Sequence, residues 1–319
     1  MKVVITGAAG FLGLGIAKIL IERDEVESLV LFDAAIPNAL PDDRFEAVTG
    51  DIADREQVFA LIDRDDIVVF HLASVVSAGG ELDFDLAMRV NLDGGRNVLE
   101  ALRARVGAPK VVFASSLAVF GGTDMPDAVT DMTRVVPQTT YGATKAITEL
   151  LVNDYTRKGF IDGRTARLPT VIIRPGQPNA AASGFASGIF REPLAGKEHV
   201  LPVGLDTKMM VIGYRAAVAG LIGLLDADAD DLGRDRVIGL PNNVYSVAEM
   251  IAALEAVAEA RGIDLGPITP APDPAVEAIV TSWPQAMDDT RARKLGLPGD
   301  ESLNAIIEEY LEDFGRVKL

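Results

Sequence analysis

The 319-residue sequence contains no cysteine and only two histidines. The absence of cysteine excludes disulfides and thiolate metal sites, and so few histidines argue against a structural zinc, so we expect no bound metal. Basic residues are also scarce, since 30 Lys and Arg stand against 47 Asp and Glu, for a formal net charge of −17. That charge disfavours nucleic acids and anionic membrane surfaces, and we expect neither as a partner.

Long uncharged apolar runs are missing as well. The most apolar stretch, residues 209–225, carries Arg215 near its middle, so we interpret it as a packed helix and not as a membrane span. The first residues lack the basic and then apolar segments of a signal peptide, and Met1–Ile5 instead predicts a strand. We therefore expect a cytoplasmic protein with no membrane partner.

Short apolar segments alternate with helical periodicity through the first half of the chain. The segments "KVVIT", "SLVLFD", "DIVVFHLA" and "KVVFASS" each precede a helical pattern. Such alternation predicts an α/β fold with a doubly wound parallel sheet, Rossmann-like, covered by helices on both faces. After Pro175 the composition of the sequence changes. Residues 176–188 predict a loop, and helices are expected near 214–226, 246–261 and 301–314.

The stretch "TGAAGFLG", residues 6–13, joins the first strand to the first helix and carries glycines at positions 7, 10 and 13. The unpaired N–H groups of a helix start attract a pyrophosphate, and glycines let it approach the backbone. Asp33 ends the second strand, where a carboxylate accepts hydrogen bonds from the adenosine ribose and repels a 2′-phosphate. The combination predicts NAD binding in preference to NADP.

Further cofactor contacts are expected where later strands end at the same edge of the sheet. "GDIAD" follows the third strand and "HLAS" ends the fourth, although His71 itself is interpreted as a buried core residue. The expected contacts in this part of the chain are Gly7, Gly10, Phe11, Leu12, Gly13, Asp33, Asp51, Ile52, Leu72, Ala73 and Ser74.

We therefore expect an NAD-binding domain over residues 1–175. Residues 176–319 are expected to form a smaller, mainly substrate-binding lobe, some of whose elements return to the sheet.

A candidate catalytic trio follows the fifth strand. "SSLAVFGG" closes that strand, and "YGATK" opens a helix in which Tyr141 and Lys145, four residues apart, share one face. Hydroxyl oxidation needs a base, and lowering the pKa of a tyrosine by about 3 units takes about 4 kcal/mol. The Lys145 ammonium and the charge of oxidised NAD would supply this, while the Ser116 hydroxyl orients the substrate oxygen. Tyr141 and Lys145 are also expected to contact the cofactor; the alternative is an ordinary exposed helix face.

In order and spacing, these motifs resemble those of the extended short-chain dehydrogenase/reductase family, which includes nucleotide-sugar epimerases, dehydratases and uronate dehydrogenases. The resemblance spans essentially the whole chain and is most specific over residues 1–175. It implies a role for Asn91 at the edge of the cofactor site, with helix-backbone packing as the alternative. Two departures stand out: Phe120 replaces a frequent tyrosine, and Leu117 and Ala118 stand where dehydratases carry acids, which argues against dehydration. Helices near 82–104 and 141–158 resemble the pair through which family members form homodimers.

The segment from residue 167 to 196, with "RPGQPN" and "ASGIFREPL", resembles the substrate segment of a branch that oxidises small sugar acids. The resemblance implies NAD-dependent oxidation of a secondary hydroxyl, with D-erythronate converted to its 2-oxo acid. The expected substrate contacts are Ser77, Ser116, Tyr141, Asn179, Ser183 and Arg191, with Arg191 pairing with the carboxylate. A nucleotide-sugar 4-epimerase with bound NAD is the first alternative, disfavoured by the few cations in 176–208. A non-catalytic dinucleotide sensor is the second, disfavoured by the retained Tyr141 and Lys145.

Overall fold

A computed structural model of the protein describes residues 1–35, 42–177 and 182–315. Its strands are β1 (Lys2–Thr6), β2 (Ser28–Asp33), β3 (Phe45–Thr49), β4 (Ile67–His71), β5 (Lys110–Ser116), β6 (Asp162–Leu168), β7 (Thr170–Ile172), β8 (His199–Leu201), β9 (Lys208–Gly213), β10 (Val237–Gly239), β11 (Asn243–Ser246) and β12 (Ile268–Pro270). Its helices are α1 (Phe11–Leu20), α2 (Arg55–Leu61), α3 (Ser77–Leu82), α4 (Phe84–Ala87), α5 (Gly94–Arg103), α6 (Thr140–Arg157), α7 (Gly184–Leu194), α8 (Tyr214–Asp226), α9 (Ala229–Leu232), α10 (Val247–Arg261), α11 (Pro274–Thr281), α12 (Thr290–Lys294) and α13 (Leu303–Phe314). A π-helical turn (Met88–Asp93) joins α4 to α5, and a 3₁₀ turn (Leu117–Val119) follows β5.

Seven parallel strands form the central sheet in the order β10-β6-β5-β4-β1-β2-β3. The chain winds outward from β1 through β2 to β3 and then returns to β4 on the other side of β1. This is the doubly wound α/β arrangement, so the predicted fold class is confirmed. In such sheets the crevice beyond the carboxyl ends of the strands, where the winding direction changes, is the ordinary ligand site.

Side chains of β1 alternate between two cores, one on each face of the sheet. Val3 and Ile5 pack in a buried cluster with Leu20 of α1, on the face that α1 and α8 cover. Val4 packs in a second cluster with Val98 of α5, on the face covered by α2, α5 and α6. Because both faces are covered, the inner strands β1, β2, β4 and β5 are almost continuously apolar in sequence, whereas β6 buries Arg164 and Arg167.

The second half of the chain builds a further core. Strands β7, β9 and β11 form a three-stranded sheet, and β8 pairs with β12. Helices α7, α10 and α13 bury Phe190, Leu254 and Ile307 against this part. Two elements from this half lie with the first: β10 pairs with β6 at one edge of the central sheet, and α8 packs on β5, β6 and α1. The division of the chain at residue 175 stays a prediction.

Two local predictions were wrong. Residues 209–225 do not form one packed helix: residues 209–213 belong to β9, where Val211 pairs with β7 and β11, and α8 begins only at Tyr214. The loop predicted over 176–188 ends earlier, because residues 184–188 form the start of α7. No helix in the described ranges is long and apolar enough to cross a membrane.

Candidate active site

The glycine-rich turn lies directly against the end of β4. Gly7 has a φ of +73°, and a Cβ there would stand 2.6 Å from the backbone nitrogen of Ala73, so only glycine allows this close packing. Gly10 differs, because an added Cβ would have only the Gly7 carbonyl oxygen within 4 Å, at 3.2 Å. Gly10 precedes the first residue of α1 and lines a cavity. Because glycine has no side chain, the N-terminus of α1 is left uncovered on the side that faces that cavity.

A large cavity of about 1170 Å³ opens beyond the carboxyl ends of the central strands. With the exception of Asn91, the whole predicted cofactor set lines its wall: Gly7, Gly10, Phe11, Leu12, Gly13, Asp33, Asp51, Ile52, Leu72, Ala73, Ser74, Tyr141 and Lys145. A bare helix N-terminus at one side and a carboxylate at the end of β2 fit a pyrophosphate and a ribose. The residues present therefore fit NAD.

Two carboxylates of this wall are held by the backbone. Asp33 accepts hydrogen bonds from the amide of Ala9 at 2.9 Å and from that of Ala35 at 3.1 Å. Asp51 accepts from the amide of Ala53 at 2.9 Å and forms an ion pair with Arg89, which lowers the pKa of the Asp51 carboxyl. Arg89 also lines the cavity, although no sequence motif pointed to it. Both carboxylates are thus fixed at the cofactor end of the crevice.

Asn91 lies in the π-helical turn behind the cavity wall and is 5% exposed. Its side chain accepts a hydrogen bond from the Val75 amide at 2.7 Å and donates one to the Val75 carbonyl oxygen at 3.0 Å. It also donates to the Thr144 hydroxyl of α6 at 3.2 Å. Asn91 therefore anchors the loop after β4, and a direct contact with the cofactor stays a prediction.

His71 is a core residue, as interpreted from the sequence. Its Nδ1 is hydrogen-bonded to the Thr6 hydroxyl at 2.8 Å, and its ring stacks on Phe113. Burial, together with the nearby positive charge of Lys145, lowers the pKa of His71 to about 3. The imidazole is therefore neutral at physiological pH and takes no part in the chemistry derived below.

We expect Gly10→Ala to separate cofactor binding from folding. The Ala side chain meets no side chain of the protein, so the thermal midpoint should move by no more than a few degrees. The new methyl group projects from the helix start where a pyrophosphate approaches, so NAD affinity should fall at least about 10-fold. Calorimetric titration with NAD checks this. Unchanged affinity would remove Gly10 from the cofactor site.

Local structure at the start of α6 positions Tyr141. The Thr139 hydroxyl caps the helix by accepting from the amide of Gly142 at 3.1 Å. A Cβ on Gly142 would stand 2.1 Å from the carbonyl oxygen of Ala118, so the glycine lets the first turn of α6 touch the segment after β5. That contact brings Tyr141 to Ser116, whose hydroxyl oxygen also accepts from the Ala118 amide at 3.1 Å.

The predicted trio is brought together. The Lys145 ammonium is 4% exposed, donates to the Ala114 carbonyl oxygen at 2.7 Å and lies 5.5 Å from the centre of the Tyr141 ring. Burial lowers the pKa of Lys145 to about 7, against the opposing charge of Glu149. Burial also raises the pKa of Tyr141, and the hydrogen bond with Ser116 only partly offsets this. Desolvation therefore outweighs the Ser116 hydrogen bond, and in the protein alone the pKa of Tyr141 lies above its ordinary value.

We expect the oxidation rate to rise with pH through about 7. A buried Tyr141–Lys145 pair titrates as a unit, and its first proton is lost near the lowered pKa of Lys145. Only after that loss can the pair accept the proton of the substrate hydroxyl, so kcat for oxidation should increase between about pH 6 and 8. The reverse reduction should decrease over the same range. A flat profile for both directions would contradict a titrating pair.

A smaller cavity of about 260 Å³ adjoins the large one. Ser116 lines the small cavity, and Tyr141 lies on the wall of both. Of the predicted substrate contacts, Ser77, Ser183 and Arg191 also line it, whereas Asn179 lies outside the described residues. The rest of the wall is largely apolar and includes Met209, Met210, Val280, Trp283 and Pro284, which come from elements far apart in the sequence.

Two arginines of the small cavity have different surroundings. Arg191 donates to the Arg174 carbonyl oxygen at 2.9 Å and through Nε to Glu192 at 3.0 Å, so its guanidinium is largely committed to the protein. Arg174 donates to the carbonyl oxygen of Gln177 and has no carboxylate partner within the described ranges. Burial and the charge of Arg191 lower the pKa of Arg174, so an anion beside it would be stabilised. Sequence reasoning gave Arg174 no binding role, although its place at the start of RPGQPN, inside the segment from residue 167 to 196, was a signal that could have identified it.

Comparison with known proteins places the chain in a family. The model of the NAD dependent epimerase/dehydratase family matches residues 3–239. A D-erythronate dehydrogenase of Cupriavidus necator is 46% identical, covering 100% of both chains, and one of Haemophilus influenzae is 38% identical, covering 98% of this chain and 99% of the relative. A solved structure from Agrobacterium tumefaciens, described as a nucleoside-diphosphate-sugar epimerase, has a TM-score of 0.90 at 38% identity and covers 100% of this chain and 96% of the other. The glycine turn, the carboxylate at the end of β2 and the Ser116–Tyr141–Lys145 site thus occur in a protein that belongs to the NAD-dependent epimerase/dehydratase family.

Proposed function

We propose that the protein oxidises a secondary hydroxyl of a small sugar acid with NAD, and that D-erythronate is converted to its 2-oxo acid. One observation carries the proposal: Tyr141 lies where the cofactor cavity meets a small cavity that also holds Ser116 and Arg174. A base, a hydroxyl donor and a cation around one small space suit a short hydroxy acid. The names of the two curated relatives support the same substrate.

The side chains divide the work of the reaction. When bound in the large cavity, NAD supplies the acceptor for a hydride. Ser116 hydrogen-bonds the substrate oxygen and orients it towards Tyr141, which removes the hydroxyl proton. Lys145, held by the Ala114 carbonyl oxygen, stabilises the phenolate by its charge. The apolar wall around Trp283 excludes water, which strengthens these interactions.

Arg174 is the group that we assign to the substrate carboxylate. It lines both cavities, so a carboxylate beside it can lie next to a carbon whose hydroxyl reaches Tyr141. Arg191 then supports Arg174 from behind through the backbone, instead of binding the carboxylate as the sequence predicted. Ser77 and Ser183 are the remaining hydroxyl partners for the polyol end.

The epimerase alternative is favoured by the description of the Agrobacterium structure. Size argues against it, because a cavity of about 260 Å³ is below the usual ~300–1,000 Å³ of drug-sized ligand sites and a nucleotide sugar is larger still. The second alternative, a non-catalytic dinucleotide sensor, would have no need for the contact between Tyr141 and Ser116. The dehydrogenase proposal accounts for both observations.

A substrate panel tests the proposal. Purified protein with NAD is given D-erythronate, its diastereomer D-threonate, D-gluconate, a hexuronate and a UDP-hexose, and NADH absorbance is followed. We expect NADH with D-erythronate and the highest kcat/KM for that acid. Interconversion of the UDP-hexose without net NADH would establish the epimerase instead, and NAD binding with neither reaction would establish the sensor.

We also propose a homodimer, in the cytoplasm. Exposed apolar side chains lie on the helices that the sequence singled out: Phe84 of α4 is 58% exposed, and Ile147 and Leu150 of α6 are 39% and 67% exposed. A face of this kind, on two helices in contact with each other, suits a second copy of the chain. Sedimentation equilibrium should give twice the chain mass; the mass of one chain would refute the dimer.

A further inference from the structure

A buried ionic cluster lies beneath the active site, outside the trio. Glu149, one helical turn after Lys145, is 3% exposed. Its carboxylate accepts from the Ser115 hydroxyl at 2.6 Å and from Arg167 at 3.0 Å through Nε and 2.7 Å through Nη2. Ser115 and Arg167 are paired residues on neighbouring strands β5 and β6, so the carboxylate ties two strands to α6. Burying an ion pair costs desolvation, so its presence here calls for a reason.

The cluster touches the catalytic residues on both sides. Ser115 directly precedes Ser116, and the Ala114 carbonyl oxygen on its other side accepts from Lys145. Glu149 continues the spacing of Tyr141 and Lys145, so all three residues lie on one face of α6. A shift of Glu149 would therefore move both the strand end and the helix face that form the reaction site.

We propose that Glu149 is a positioning residue: held by Ser115 and Arg167, its carboxylate keeps the Lys145 ammonium charged and fixed against the end of β5. The inference rests on the proposed dehydrogenase function for its catalytic consequence, but not for the charge of Lys145. The sequence signal for it is the continued spacing Tyr-x-x-x-Lys-x-x-x-Glu.

The other groups around Lys145 do not replace Glu149. From β5 it meets the Phe113 ring and a backbone carbonyl, and from β4 it faces His71, which is neutral. On its own helix the polar partner besides Glu149 is Tyr141. Arg167 is reached through Glu149 and is satisfied on its far side by the Asp131 carbonyl oxygen. Among the described residues, Glu149 is the carboxylate that opposes the desolvation of Lys145.

The direct test is an NMR titration of the lysine side chain in the protein without substrate. Selectively labelled lysine, assigned with Lys145→Arg, gives the titration midpoint of Lys145 in the wild type and in Glu149→Gln. Loss of the negative charge should move the midpoint to lower pH by about one unit or more, since Arg167 then also stands uncompensated. Glu149→Asp, which keeps the charge, should restore most of the midpoint.

Activity profiles test the catalytic consequence. In Glu149→Gln the ascending limb of kcat against pH should move to lower pH with the NMR midpoint, and the maximal kcat should fall. The matched control is Asp162→Asn, which breaks the ion pair with Arg164, itself 1% exposed, at the other end of β6. That control should lower the thermal midpoint without moving the NMR midpoint of Lys145 or the ascending limb of kcat against pH.

The outcomes separate the two claims. If the Lys145 midpoint does not move in Glu149→Gln, or moves equally in Asp162→Asn, Glu149 is merely structural and the inference is overturned. A moved midpoint with an unmoved kcat profile overturns its catalytic part. If the midpoint moves but no sugar acid is oxidised by the wild type, the proposed function fails while the assignment of Glu149 stands. Should Glu149→Gln not fold, the double variant with Arg167→Gln leaves no unpaired buried charge, and a smaller downward shift of the Lys145 midpoint, from loss of the nearer carboxylate alone, is required of it.

Discussion

Tyr141→Phe is expected to lower kcat for sugar-acid oxidation by about 10²- to 10⁴-fold, the usual contribution of a general base. The phenyl ring keeps the packing of the first turn of α6, so only the proton acceptor opposite Ser116 is lost. NAD affinity should change little, because the turn at Gly7 and the Asp33 carboxylate are untouched. Initial rates of NADH formation, together with calorimetric titration of NAD, measure the two quantities separately.

A suitable control for this variant is Tyr155→Phe, which also removes a phenol from α6 but one that donates to Glu100 of α5. Its kcat should remain within a few-fold of the wild type. If Tyr141→Phe kept more than a tenth of the wild-type kcat, the proton would have to leave through another group, and the assignment of the base would be wrong.

Arg174→Gln should raise KM for D-erythronate by about 10- to 100-fold, because a hydrogen-bonded charge pair of this kind is worth about 1.5–3 kcal/mol. Because the Arg174 guanidinium is partly buried, its charge is poorly solvated, so a carboxylate beside it would be stabilised. The chemistry at Tyr141 is unchanged, so kcat should fall less than KM rises.

Lys208→Gln is the matched control, since it removes an exposed cation from the rim of the same cavity. A solvated charge acts weakly across water, and its KM effect should stay below about 3-fold. Equal increases in KM for the two substitutions would mean that the cavity attracts the acid only by its summed positive charge and not by a direct contact with Arg174. No effect of Arg174→Gln would place the carboxylate elsewhere.

Local signals in the sequence were enough for the cofactor side of the site. A strand, a glycine turn and a helix form from neighbouring residues, and Asp33 reaches the cavity because strand ends in a parallel sheet share an edge. Tyr141 and Lys145 were predicted from their helical spacing together with their place after the glycine turn and the strand that ends in Ser116. The doubly wound parallel sheet followed from right-handed crossovers and the apolar character of the strands, whereas its seven-stranded order was not predicted.

The substrate side depends on contacts between distant residues, which one sequence does not display. Arg174 and Arg191 are both arginines of the same segment, and only their partners, Gln177 and Glu192, distinguish the one from the other. Trp283 reaches the cavity from a segment more than a hundred residues downstream of Ser116. Asn91 lies in a π-helical turn, a feature that periodicity does not predict, and its side chain is bonded to Val75 behind the cavity wall.

We propose that this protein removes a hydride from the carbon beside the carboxylate of a small sugar acid and gives it to NAD. This proposal is tested most directly with D-erythronate deuterated at C2. We expect one equivalent of the 2-oxo acid for each NADH, with the deuterium recovered in the reduced nicotinamide. Formation of NADH without deuterium would place the oxidation at another carbon, and no NADH from D-erythronate or any related sugar acid would contradict the dehydrogenase itself.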